Sequence, residues 1–223
     1  MLQTKQKINS LTVLTLFATF LMGFIDAYTF IEKDGVFVSA QTGNMVAFSS
    51  KLFTGHFAQA AGHIAVFVGF AIGAFCGEWL VEKVSGAVRR KYQMKLLLQS
   101  AVLLVFAIFQ QQLNDSFMVF LLGGLAGFEL TLFRKVGVAT FNDGIMTGNT
   151  KNLMSNLYRW LFEKDKAARK EFSDIGFAIL VFIFGVGFGS LIVLLNASFA
   201  LWCAFILTLL FFGWVTVTNV EMD

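Results

Sequence analysis

Long apolar runs separated by short polar links dominate this chain. A helix that crosses the roughly 30 Å hydrocarbon core of a bilayer needs about 20 mostly apolar residues. Six segments meet or approach that length: 11–31, 57–80, 94–113, 117–133, 175–195 and 197–217. The third is the weakest, because its unbroken apolar run covers only 102–109 and follows Gln99 and Ser100. The pattern predicts an all-α integral membrane protein with six transmembrane helices, forming one membrane domain over residues 1–223.

Composition agrees with that pattern. The mean hydropathy is +0.73, and only 14% of residues are charged, against about a quarter in a soluble domain. The placement of charge then orients the spans, since cytoplasmic links collect lysine and arginine. With the N-terminus inside, all of the 17 lysines and arginines except Lys33 and Lys51 fall on the inner side. Both termini are then expected in the cytoplasm. Lys5 and Lys7 before an apolar run imitate a signal peptide, but no clear small-residue cleavage pattern follows. The segment is read as a retained helix. No basic run with interleaved aromatics marks a nucleic-acid surface.

The chain also resembles itself. Gly23-Phe24-Ile25-Asp26 in the first span recurs as Gly127-Phe128-Glu129-Leu130 in the fourth. Thr42-Gly43-Asn44 follows the first copy, and Thr147-Gly148-Asn149 follows the second. Gly69, Gly73 and Gly77 form a small-residue face in the second span, and Gly185 and Gly189 form one in the fifth. Such faces let helices approach closely in lipid, within one chain or between the subunits of a homodimer. Repeat one covers 11–113 and repeat two 117–217. Three spans per repeat is an odd number, so the second repeat is expected to be inverted. Inverted repeats are a common construction of secondary transporters.

Each Thr-Gly-Asn follows a stretch suited to extended chain, such as Val36-Phe37-Val38, and precedes a helix-compatible one. One reading is a broken or re-entrant segment. Irregular backbone at membrane depth survives only when buried in protein or lining a cavity. A helix starting there would aim free N–H groups at an anionic or polar solute. The other reading is an ordinary helix cap at the membrane surface. Thr42, Gly43, Asn44, Thr147, Gly148 and Asn149 are therefore candidate solute-binding residues. Asp26 and Glu129 join them as acids inside spans, where an unpaired carboxylate is costly. They serve proton coupling or solute contact on one reading, and local structure on the other. Cys76 and Cys203, both in apolar stretches, read as buried free thiols. His56 and His63 are too few ligands for a metal site, and no cofactor is expected. The charged run 163–171 reads as a solvated loop following an amphipathic interfacial stretch.

The order GFIDA, GVFVSAQTGN, a glycine-rich helix and GLAGFELTLFRKVGVATFNDGIMTGN resembles the YoaK-like family, a catalogued domain of unknown function among bacterial membrane proteins. The resemblance covers nearly the whole chain. It implies a multi-pass protein of the bacterial cytoplasmic (inner) membrane with about six spans, compatible with a transporter. It implies no substrate. Where the family usually carries an amide pair in the second half, this chain has Glu129-Leu130. The expectation is a small secondary transporter or exporter of a small polar or anionic solute. A channel or a non-transporting scaffold or sensor is the alternative. An intramembrane enzyme is disfavoured, because no serine–histidine pair lies inside the spans and no HExxH occurs.

Overall fold

In a computed structural model, residues 10–83, 88–132, 135–141 and 144–217 are described. Lys5, Lys7, Phe133, Arg134, Asn142 and Asp143 lie outside that set, as do the side chains of Arg89 and Lys91. The elements run α1 (Ser10–Glu32), α2 (Gln41–Phe53), α3 (Phe57–Lys83), α4 (Val88–Phe109), α5 (Asp115–Leu132), β1 (Lys135–Val136), β2 (Ala139–Thr140), α6 (Met146–Phe162), α7 (Lys166–Leu195) and α8 (Ala197–Val217). Six of these helices are long and apolar enough to span a membrane: α1, α3, α4, α5, α7 and α8. The short helices α2 and α6 follow the two polar breaks.

Helix directions can be read from side-chain contacts. Lys33, just past the end of α1, pairs with Asp115 in the first turn of α5. Thr12 near the start of α1 accepts the N–H of Gly137, beyond the end of α5, at 3.0 Å. So α1 and α5 run in opposite directions. In α4 and α8, Gln93 meets Thr216 and Gln110 meets the Ser198 carbonyl, which makes them antiparallel.

The closest packing is reciprocal between halves: α1 lies along α7, and α3 along α5. Glycine makes both crossings possible. A Cβ on Gly69 would strike the Phe120 carbonyl, one on Gly73 the Gly124 carbonyl, and one on Gly127 the Phe70 carbonyl. In the other pair, a Cβ on Gly185 would strike the Phe20 carbonyl, and one on Gly189 would lie 2.7 Å from the Phe24 carbonyl. The glycine faces are therefore filled by this chain's own helices, which removes them as a surface for a homodimer. The contacts advance in the same order along both helices of each pair, so each pair is parallel.

Of the spans, α1 is the most enclosed, with 67% of its apolar window buried against 22% for α7. Leu21, Phe24, Val66, Leu103, Phe106, Met118, Leu122 and Leu201 form the main core around it. The outward faces of α3, α7 and α8 carry exposed Phe75, Trp79, Leu180, Phe184, Leu194 and Leu210, as lipid contact requires. Cys76 is exposed on α3 rather than buried, because it lies off the glycine face that meets α5. The run 163–171 is also not all loop. Asp165 caps α7 by accepting from Ala167 N–H at 2.8 Å and Ala168 N–H at 3.3 Å, so the helix begins at Lys166.

The substitution Gly73→Val should drive a branched side chain into the backbone of α5. Overpacking of this kind costs about 1–3 kcal/mol in well-packed cores. The measurement is thermal unfolding of the purified protein in detergent. Gly187→Ala serves as control, since nothing lies within 4 Å of a Cβ there; equal stability of the two variants would refute the close crossing.

Candidate functional site

The chain leaves α1 through a left-handed turn, with φ of 53° at Asp34 and 77° at Gly35, and stays irregular up to Ala40. Side chains satisfy this irregular backbone. Asp26 Oδ1 accepts the N–H groups of Val38 (2.7 Å) and Ser39 (3.1 Å), and Oδ2 accepts the Ser39 hydroxyl. Asn44 accepts the Phe37 N–H at 3.1 Å and donates to the Phe37 carbonyl, as a neighbouring strand would. Gln41 donates to the Val38 carbonyl at 2.8 Å. Behind Asn44, the buried His63 places Nδ1 at 3.3 Å from Asn44 Oδ1. Its Nε2 lies 3.0 Å from Lys51 Nζ, which also donates to the Asp34 carbonyl at 3.1 Å. The two lysines on the expected outer side are thus both engaged, Lys33 with Asp115 and Lys51 with this network.

The second break is built differently. β1 and β2 form a two-stranded antiparallel hairpin pairing Lys135 with Thr140 and Val136 with Ala139. Asp174 of α7 accepts the Val138 N–H at 3.2 Å. Asn149 is fully buried in α6, as Asn44 is in α2.

The two breaks meet. Gly144 packs so closely on Ser39 that a Cβ there would lie 2.7 Å from the serine Cβ. Two adjoining cavities share Ser39, Ala40, Gly144, Met146 and Thr147 as walls. One, of about 430 Å³, is also lined by Gln41, Thr42, Gly43 and Phe70. The other, of about 390 Å³, adds Asp26, Phe30, Phe37, Phe182, Val186 and Ser190. The N-terminal ends of α2 and α6 both open on this space. Neither end has a side-chain cap; the residues before them are Ala40 and Ile145.

Of the sequence candidates, Thr42, Gly43, Thr147 and Asp26 therefore line the paired cavities. Asn44 and Asn149 lie beneath the helix starts, buried in the fold. Gly148 faces Ile145 of its own segment. Glu129 stands apart. It pairs with Lys95 of α4 at 2.5 Å, both side chains being 2% exposed. Within the repeat it matches Ile25, and the position matching Asp26 is Leu130. Glu129 and Gln99 line a small cavity of about 10 Å³ with Met22, Ile25 and Val38. Lys95, counted with the inner links by its charge, is thus buried within the fold near the start of the α4 span. The signal for it was in the sequence: Lys95 and Gln99 stand four apart, on one helix face, in the least apolar span. Among the described residues no group of three or more metal ligands occurs.

The comparison with known families falls on this same framework. A family model described as protein of unknown function (DUF1275) matches residues 14–214. The chain belongs to this family. The YoaK-like resemblance carried by GFIDA and the Thr-Gly-Asn copies is consistent with the DUF1275 match. No curated protein and no solved structure matches the chain.

Two outcomes test the residue roles in DUF1275 terms. Asp26→Asn keeps one acceptor oxygen for the two N–H groups and should remain folded, whereas Asp26→Leu strands them at about 1–3 kcal/mol each. Thermal unfolding of both variants decides this, and equal behaviour would remove the clamp role. Glu129→Ala should cost about 3–5 kcal/mol by breaking a buried pair. The double variant Lys95→Met/Glu129→Leu should recover most of that loss in the same assay.

Proposed function

We propose that this DUF1275 protein is a small secondary transporter or exporter of a small polar or anionic solute, working by alternating access. The observation that carries the reading is the shared cavity. Two helix starts, one from each half, open on it without side-chain caps. N-terminal helix ends present N–H donors and a positive dipole to a polar or anionic group. Thr42 and Thr147 line the cavity beside those ends, and Gly43 keeps the backbone accessible. The cavity wall includes Phe182 and Val186, central in the apolar part of α7. That placement favours a buried break over a surface cap.

An inverted repeat fits the packing. α1 and α5 run in opposite directions, and the α1–α7 and α3–α5 crossings exchange under the repeat. Transporters of this construction rock one repeat against the other around a fixed site. Asp26 and Glu129 are the acids available for proton coupling. The reading involves no chemical conversion of the solute and no cofactor. It places the protein in the bacterial cytoplasmic membrane with both termini and the basic links inside, as one subunit or as a homodimer.

A second reading, a non-transporting scaffold or sensor, draws on the engagement of Asp26 and Asn44 with their own loop. Reconstitution separates these readings. Uptake of small anions and polar solutes into proteoliposomes should follow an imposed proton gradient. Thr42→Val/Thr147→Val should lower uptake about tenfold, equivalent to about 1.4 kcal/mol of lost solute contact. Uptake indifferent to the gradient would make the protein a channel. No uptake of any solute by correctly folded protein would favour the scaffold.

A further inference from the structure

The elbow between α6 and α7 carries a second feature, remote from the paired cavities. Lys166, Arg169, Lys170 and Ser173 occupy positions i, i+3, i+4 and i+7 of α7, so they share one face of its first two turns. Glu171 falls on the other side of the helix. With Trp160 and Phe172 they line a surface cavity of about 460 Å³. Arg169 lies over the Trp160 ring, 5.4 Å from its centroid, and Trp160 packs on Phe172 at 5.8 Å.

Three cations at this end of a helix oppose its dipole, whose N-terminus favours negative charge. No acid occupies the first turn of α7. The carboxylate that precedes these cations in the chain, Asp165, is already committed. It accepts the Ala167 and Ala168 N–H groups and pairs with Arg159. The Ala168 and Ala167 N–H groups, helped by Arg159, hold its carboxyl below the usual aspartate range, so it stays an anion spent on the cap. Glu163, Lys164 and Asp174 complete the charges of this elbow, and Asp174 is bonded to Val138. The excess positive charge therefore faces outward, into the cavity.

The neighbouring surface is apolar. Phe177, Leu180 and Phe184 of α7 are all more than half exposed and, at i+11, i+14 and i+18 from Lys166, continue the face of the cations along the same helix. On a helix long and apolar enough to span a membrane, such a stripe lies against the acyl chains. A ligand for the whole surface needs an anionic head for the cations and an apolar body for the stripe.

We propose that the α6–α7 elbow is a binding site for an anionic phospholipid, with the phosphate held by Lys166, Arg169, Lys170 and Ser173 and the Trp160–Phe172 pair beneath it. Free phosphate would use the cations but leave the stripe without a function. The site does not depend on the transporter reading.

The test is thermal unfolding of the purified full chain in a zwitterionic detergent, with added phosphatidylglycerol, phosphatidylcholine or inorganic phosphate. A ligand that binds only the folded state raises the unfolding temperature by mass action. Phosphatidylglycerol should raise it by several degrees, less at high salt, and the other two should not. In Lys166→Gln/Arg169→Gln/Lys170→Gln the concentration of phosphatidylglycerol needed should rise at least about tenfold, on the scale of juxtamembrane basic residues. Arg169→Gln alone covers the case in which the triple variant does not fold, and should raise it several-fold. Lys164→Gln, outside the cavity, should leave the response unchanged. Equal shifts with phosphatidylcholine, an equal shift with inorganic phosphate, or an unaltered response in the cavity variants would each overturn the proposal.

Discussion

A backbone amide buried in protein finds no water to bond, and this constraint governs the break between α1 and α2, where Val36, Val38 and Ser39 are buried. Regular helix would satisfy each amide internally. From Val36 to Ser39 the chain is irregular, yet every N–H has a partner. Val36 bonds the Lys33 carbonyl, Phe37 bonds Asn44, and Val38 and Ser39 bond Asp26. An aspartate suits that task because it offers acceptors alone. An asparagine suits Phe37 because it offers an acceptor and a donor at strand spacing. The residue types of the motif thus follow from the hydrogen-bonding needs of the segment they hold.

Satisfying the first break frees the start of α2 to face another element instead of solvent. Ser39 can then serve as the surface on which Gly144 packs, and the start of α6 comes to the same place. The glycine crossings make this meeting possible. They bring α1 against α7 and α3 against α5 at backbone contact, so helices from the two halves interlock around a short path between the breaks. Without those glycines the α6 start would stand farther from Ser39.

The spans were legible because lipid imposes a minimum apolar length, and the structure places all six within a few residues of the hydropathy pattern, apart from the early starts of α4 and α7. The start of α7 was not legible from charge. The run 163–171 reads as loop by polarity, but Asp165 supplies a cap and Ala167-Ala168 a strong helical preference. The partners of Asp26 were also hidden, since its clamp joins residues 12 and 13 positions away through backbone groups that leave no mark in side-chain pattern. The partner of Lys95 was hidden for a related reason. Charge counting gives the side of a lysine near a span end, but not the acid on another helix that buries it.

The two intramembrane acids consequently have different physical roles, although both stand in the repeated Gly-Phe motif. Asp26 is bonded by three donors from one short loop, so its charge and the shape of that loop are tied together. Glu129 is tied to α4 through Lys95, across a helix pair with few other contacts. On the proposed transport reading, protonating Asp26 would weaken the acceptor that holds Val38 and Ser39, at the edge of the shared cavity. Protonating Glu129 would instead loosen α4 from α5. The first change acts on the site, the second on the relation between helices of opposite halves. Alternating access needs both kinds of event, a local change where the solute binds and a movement of one half against the other. Val38 is the physical link between them, since its N–H bonds Asp26 while its side chain lines the small cavity beside Glu129 and Gln99.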